Sequence, residues 1–265
     1  MNSDTLRLSL LPLLTKPGDK NANLNRVADA LATLPKGTDV VLLPELFTTA
    51  LPDNVEQAAA LAERNTGQTI DTLRMWSDRY SCAFAGTFLA STHPHIYNRA
   101  FFIEPGSDET LYDKAHLFIL GKETHILHPG TEQPRTVRFR RWNIAVAVCF
   151  DLRFPAWIRN NPTSPYDLLL IPSSWPASRQ YAFTHLAIAR AIENQAVVAT
   201  CNTGGADFAP SAILDAAGQP VDATHTGPWI TIDLHLDQLT EYRRKYPFLR
   251  CSDKISVQPQ QKFGD

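Results

Sequence analysis

Apolar runs of strand length alternate with amphipathic runs of helix length from one end of this chain to the other, and that alternation points to the α/β class. Leu6, Leu8 and Leu10 alternate with Arg7 and Ser9 as a half-buried strand does; Leu24, Val27, Leu31 and Leu34 follow at helical spacing. Pro35-Lys36-Gly37 closes that helix ahead of an apolar strand around Val40. Helices over 55–62 and 70–80 lead to a strand over 82–89. Residues 98–103, a Glu104-Pro105-Gly106-Ser107 turn and residues 111–113 then form a hairpin-like unit. A strand-like run over 142–148, a buried run over 168–171, a helix over 181–194 and a strand over 196–201 continue the pattern. No internal repeat, low-complexity stretch or composition break interrupts it. We therefore expect one domain over 1–236 and a polar carboxyl-terminal tail over 237–265. With 265 residues, 44% of them hydrophobic, the chain can fill one large core.

A net charge of −2 with interspersed signs gives no basic footprint for nucleic acid and no polybasic patch for a membrane. Met1-Asn2-Ser3-Asp4 has no cationic n-region, and the run from Leu6 to Leu14 is broken by Arg7, Ser9 and Pro12. The expectation is no signal peptide, no membrane span and a cytoplasmic protein. Cys82, Cys149, Cys201 and Cys251 are scattered, with no Cys-x-x-Cys pair, and read as reduced thiols. His116, His125 and His128 lack cysteine or carboxylate partners at ligand spacing, so they read as bystanders to any metal chemistry.

Three apolar runs end in residues that carry chemistry. The run Asp39-Val40-Val41-Leu42-Leu43-Pro44 meets Glu45, Thr110-Leu111-Tyr112-Asp113 meets Lys114, and Trp142 to Val148 meets Cys149. Taken singly, each has an ordinary explanation: a solvated or helix-capping carboxylate, a snorkelling lysine, a small buried hydrophobe. Taken together, a carboxylate base, a cation and a sulfur nucleophile make up a covalent acyl-transfer site. The turn after a buried strand also supplies backbone N–H groups to a developing negative charge.

The segments Leu43-Pro44-Glu45, Tyr112-Asp113-Lys114-Ala115-His116-Leu117-Phe118 and Val148-Cys149-Phe150-Asp151-Leu152-Arg153-Phe154-Pro155 resemble, in order and spacing, the three catalytic signatures of the nitrilase superfamily of carbon–nitrogen hydrolases. The resemblance continues through Ser174-Trp175-Pro176, Ala189 to Gln195, Cys201-Asn202 and Glu241 to Pro247. It covers nearly the whole chain. The Trp-Pro loop and the Tyr-Arg-x-Lys-aromatic-Pro tail look most like the omega-amidase branch.

That resemblance implies a single-domain, four-layer α-β-β-α sandwich that dimerises, with the tail either packing at the subunit interface or lying on its own domain. It implies hydrolysis of the terminal amide of a small omega-monoamide of a dicarboxylic acid, of the 2-oxoglutaramate or succinamate type, with no metal or organic cofactor. Cys149 would be the nucleophile, Glu45 the base, and Lys114 with the Phe150 backbone N–H the oxyanion donors. Glu123, ahead of His128-Pro129-Gly130, would be the second glutamate of the family; otherwise it is a loop carboxylate paired with Lys122. Arg153 would hold a substrate carboxylate or brace its own loop, and Phe118 and Trp175 would wall the pocket. Arg190 and Glu193, three apart on a helix, read as a structural pair. The segment Thr203 to Pro210 is shorter than in relatives, which bears on the pocket wall. The same Glu-Lys-Cys set also serves carbamoylases and acyl transferases, and outside enzymes the sandwich serves as a silent scaffold.

Overall fold

The computed structural model describes residues 4–253 and 255–258. In chain order the elements are β1 (Thr5–Leu10), α1 (Lys20–Leu31), β2 (Val40–Leu42), α2 (Val55–Leu61), α3 (Gln68–Tyr80), β3 (Ala83–Thr92), β4 (His95–Ile103), β5 (Thr110–Asp113), α4 (Glu123–Ile126), β6 (Val137–Phe139) and β7 (Trp142–Val146). There follow β8 (Leu168–Ser173), α5 (Gln180–Asn194), β9 (Val197–Asn202), β10 (Ala212–Leu214), β11 (Thr224–Thr226), β12 (Trp229–His235) and α6 (Leu236–Lys245). Among the described residues the strands form two sheets, ordered β11-β12-β1-β2-β3-β4-β5 and β10-β9-β8-β7-β6. The centres of both are parallel, β1-β2-β3 in one and β7-β8-β9 in the other, and antiparallel strands flank them.

The period of two along each strand explains the layering. Val40 and Leu42, Ala83 and Ala85, and Ala100 and Phe102 lie in one buried cluster with Ile144, Val146 and Leu168 of the second sheet. Their neighbours Val41, Phe84, Phe101 and Ile103 point the other way, into a cluster with Leu24, Val27 and Leu31 of α1 and Ile70, Leu73 and Trp76 of α3. Burying each such side chain stabilises the fold by about 1.5–3 kcal/mol. From the far side α5 adds Phe183, Ala187 and Ala191 to the first cluster. The result is the expected order of helix, sheet, sheet, helix.

The alternation in the sequence locates most of these elements to within a few residues, while β6, β10, β11, β12 and the short helix α4, in a stretch that reads as a loop, are additions to it, and α6 occupies the start of the expected tail. Strand β12 pairs antiparallel with β1, with Asp233 opposite Arg7. Helix α6, where the expected tail begins, docks on its own chain. Arg243 donates to the Gln195 carbonyl at 2.8 Å and the Tyr166 carbonyl at 2.7 Å and pairs with Asp167 at 2.5 Å; Gln195 donates to the Tyr246 carbonyl at 2.7 Å. Tail positions 254 and 259–265 lie outside the described residues. Among the described residues no helix is long and apolar enough to cross a membrane.

Candidate active site

Glu45 and Lys114 follow strands of the larger sheet and Cys149 follows a strand of the smaller one, so the packing of sheet on sheet sets their separation. Past β2 the backbone keeps its ladder for one residue, Leu43 N–H bonding the Ala85 carbonyl at 2.8 Å, and then Glu45 N–H crosses to the Ser173 carbonyl of β8 at 3.3 Å. The next residue, Leu46, turns the chain with φ +46° and is held by Thr87 Oγ1 at 2.7 Å. Lys114 N–H continues the β4–β5 ladder to the Asn98 carbonyl at 2.9 Å, and Gly130 N–H bonds the Lys114 carbonyl at 2.8 Å. A side chain at Gly130 would place its Cβ 2.0 Å from the Asp113 carbonyl oxygen, which is why glycine stands there.

Cys149 sits in the left-handed region, φ +41°, at the start of a 3-10 turn over Cys149–Arg153. A non-glycine residue held there stores on the order of 1–3 kcal/mol, which the surroundings must over-determine. Asp151 does much of that. Its fully buried carboxylate accepts from Val148 N–H (3.1 Å), Tyr112 Oη (2.8 Å), His116 N–H (3.0 Å) and His116 Nδ1 (2.8 Å). Trp157 Nε1 donates to Tyr112 Oη at 2.9 Å, and the His116 ring stacks on Phe154 at 3.7 Å. The turn carrying Cys149 is thereby bolted to the loop carrying Lys114. From α5, Arg190 Nε bonds the Leu152 carbonyl at 2.9 Å, besides its pair with Glu193. The first bond of the turn runs from Asp151 N–H to the Val148 carbonyl, which leaves the Phe150 N–H ahead of its ladder.

The side chains of Glu45, Lys114, Glu123 and Cys149 converge, and all four are buried. Lys114 Nζ donates to Glu45 Oε1 at 2.8 Å and to Glu123 Oε1 and Oε2 at 2.7 and 2.9 Å. Glu123 Oε2 also takes the Phe118 N–H at 2.7 Å, while Lys122 pairs with Asp53 at 2.6 Å, which sets aside the loop pairing of Glu123 with Lys122. Burial alone would push the Lys114 ammonium down, but Glu123, Glu45 and Cys149 beside it hold it well above its ordinary value. Burial pushes the Glu123 carboxyl up, the pull of Lys114 opposes this, and the charge of Glu45 adds to the rise. Burial and then the Glu45 charge push the Cys149 thiol well up, against Lys114 and the Ser174 N–H, with a further, smaller rise from the Glu45 side chain beside it. The resting sulfur is thus a thiol held against a carboxylate. A carboxylate on a thiol with an ammonium alongside is the arrangement that general-base activation of a sulfur nucleophile requires.

These groups open into a cavity of about 450 Å³. Phe118, Phe150, Trp175 and Phe208 wall it, and Arg153 and Arg179 lie on its lining. The Arg153 guanidinium sits 5.2 Å from the Trp175 ring centroid and that of Arg179 sits 4.5 Å from Phe118; neither has a carboxylate partner among the described residues. Such stacking leaves the guanidinium edge available to an anion. Thr15 is buried, and its Oγ1 is without a hydrogen-bond partner in the same lining. The 203–210 segment supplies Thr203 and Phe208 to the wall, tied to the Trp-Pro loop by Ala177 N–H to Asp207 O at 2.8 Å and Ala209 N–H to Trp175 O at 2.9 Å. Among the described residues no group of three or more His, Cys, Asp or Glu side chains is arranged to hold a metal ion.

Of the residues expected to form the site, Glu45, Lys114, Phe118, Glu123, Cys149, Phe150, Arg153 and Trp175 all line this cavity. Sequence reasoning missed Asn98, which donates to Glu45 Oε1 at 2.7 Å, as well as Asp151, Thr15 and Arg179. A lone amide inside the apolar strand Ile96 to Ile103 was the available signal for Asn98.

The chain belongs to the carbon–nitrogen hydrolase family, whose model matches residues 7–244. It is 38% identical to the omega-amidase YafV of Yersinia enterocolitica, over 95% of this chain and 98% of that protein. It is 29% identical to a 2-oxoglutaramate amidase of Bacillus subtilis, over 87% of this chain and 91% of that one. Among solved structures it matches XC1258 from Xanthomonas campestris, a CN-hydrolase superfamily protein with an arsenic adduct in its active site. That match has a TM-score of 0.86 and 31% identity and covers 96% of this chain and 99% of the other. The four-layer sandwich is the fold of that family.

Proposed function

We propose that this chain is an omega-amidase that hydrolyses the terminal amide of small omega-monoamides of dicarboxylic acids, of the 2-oxoglutaramate or succinamate type, through a thioester on Cys149. The observation that carries the reading is one cavity holding Cys149, Glu45, Lys114 and Glu123 together with two guanidinium groups that have no carboxylate partner among the described residues. Its similarity to the omega-amidases supports the same substrate class.

In this mechanism Glu45 takes the Cys149 proton as sulfur attacks the amide carbon. The tetrahedral oxyanion is stabilised by Lys114 and the Phe150 N–H, each donor worth roughly 3–4 kcal/mol of barrier. The C–N bond breaks as Glu45 returns its proton to nitrogen, and ammonia leaves a thioester. Glu45 then deprotonates water, which attacks the thioester carbon; the C–S bond breaks and the sulfur regains a proton. Glu123 orients Lys114 and the substrate amide. Phe118 and Trp175 wall the carbon chain. The remote carboxylate would be repelled by Glu45 and Glu123, and Arg153 receives it at the other end.

Ammonia release from 2-oxoglutaramate and succinamate, set against N-carbamoyl amino acids, tests the reading. Turnover of the two amides, lost in Cys149→Ala, is expected. Turnover confined to the carbamoyl compounds contradicts it. The same reading includes a cytoplasmic homodimer, for which the support is the exposed Phe248 beside the Tyr246 ring and three free, buried cysteines. Light scattering that returns the mass of a single chain overturns the dimer.

A further inference from the structure

We propose that Asn98 is the positioning residue of the Glu45 carboxylate, clamping Oε1 jointly with Lys114 so that Oε2 is presented to the Cys149 proton. This rests on reading Glu45 as the base. Asn98 lies on β4 in phase with Ala100 and Phe102, so the period of the strand directs it into the apolar layer between the sheets, where it is fully buried. Both nitrogens found on this carboxylate, Asn98 Nδ2 at 2.7 Å and Lys114 Nζ at 2.8 Å, bond the same oxygen, Oε1.

The torsion about a terminal carboxylate is broad, and one donor on one oxygen leaves its plane free to swing. A second donor from a different strand fixes the plane. Asn98 is well placed to do so, because its backbone carbonyl also takes the Lys114 N–H at 2.9 Å. One residue therefore sets the registers of base and cation together. Its Oδ1, by contrast, is buried with no hydrogen-bond partner. An unpaired buried acceptor lowers stability, and a residue placed for packing alone would carry none. Asn98 thus gives up stability in favour of the bond to Glu45.

The charged or titratable groups acting with Glu45 are Lys114 after β5, Glu123 on α4 and Cys149 after β7, and β4 brings only the neutral amide. Removing that amide deletes a donor that favours the ionised carboxylate while leaving the surrounding charges in place.

The test uses Asn98→Ala, Glu45→Gln and the double variant, with two readouts. One is the pH profile of kcat/KM on succinamate. The other is the rate of Cys149 alkylation by iodoacetamide, followed on its peptide by mass spectrometry, which needs no substrate. For Asn98→Ala, kcat/KM is expected to fall about 10- to 100-fold, the range for losing a hydrogen bond to a charged group, with KM little changed. The acid limb of the profile moves to higher pH and alkylation slows. In the Glu45→Gln background the same substitution slows alkylation no further. A loss that is uniform across pH and multiplies with Glu45→Gln overturns the proposal and marks Asn98 as structural. If Glu45→Gln slows alkylation and Asn98→Ala does not, the proposal fails while the base assignment stands. If Glu45→Gln itself leaves alkylation unchanged, both fail. Should Asn98→Ala not fold, Asn98→Leu, which keeps the volume, is read in the same way.

Discussion

Replacing Lys114 with methionine keeps much of its volume and removes the cation that neutralises two buried carboxylates. Three hydrogen bonds of 2.7–2.9 Å converge on Nζ, and the lysine is 1% exposed, so solvent cannot stand in for it. At an effective dielectric near 20, each contact of about 2.8 Å is worth about 6 kcal/mol of gross attraction, much of it offset by desolvation. Removing one partner of such a cluster destabilises by about 3–5 kcal/mol, or roughly 6–20 °C in Tm for a chain of this size. The loss depends on pH. The native Glu123 carboxyl is pushed up by burial, with Lys114 pulling it down, so losing Lys114 raises it further. A folded value above the unfolded value of about 4.3 means that the folded state holds its proton more tightly, so stability falls as pH rises through that window. Thermal unfolding of Lys114→Met and wild type at pH 5 and pH 8 should show a larger deficit at pH 8. An equal deficit at both pH values, or one under about 2 °C, would refute the argument that Lys114 neutralises a buried pair.

Asp151→Ala removes the acceptor for four donors and should lower stability by about 3 kcal/mol or more, with Asp151→Asn falling in between; differential scanning calorimetry measures both. Gly204→Ala would place a Cβ 2.4 Å from the Pro12 carbonyl oxygen, moving the wall that carries Thr15 and Thr203. Its KM should rise with kcat little changed, as steady-state kinetics on succinamate will show. Arg153→Ala should raise KM about tenfold or more for an omega-monoamide bearing a free carboxylate and leave a neutral aliphatic amide of equal length unaffected, as a paired assay would reveal.

The layers of the fold were legible because strand and helix periods survive in single segments such as Leu6-Leu8-Leu10 and Leu24-Val27-Leu31. Strand β12 also carries a period in Ile230, Ile232 and Leu234, but its place beside β1 depends on pairing across 220 to 230 residues, which no local pattern encodes. Glu45, Lys114 and Cys149 could be found because each ends an apolar run, where a charged or reactive residue stands out. Arg179 had no such frame. It lies in a polar turn ahead of α5, and only the fold sets it over Phe118. Asn98 stands out as a lone amide in its strand, but what it bonds, like what Asp151 holds, is set by the fold and not by its sequence neighbours. The loop that Asp151 holds lies 35 residues away, and the carboxylate that Asn98 bonds lies 53 residues away.

The central claim is that Cys149 carries the acyl group, and acid quenching during turnover of succinamate, followed by peptide mass spectrometry, tests it most directly. The account predicts a succinyl adduct on the peptide containing Cys149, absent from Cys149→Ala, which should also be inactive. Undiminished ammonia release by Cys149→Ala, or an adduct on Cys251 instead, would contradict it.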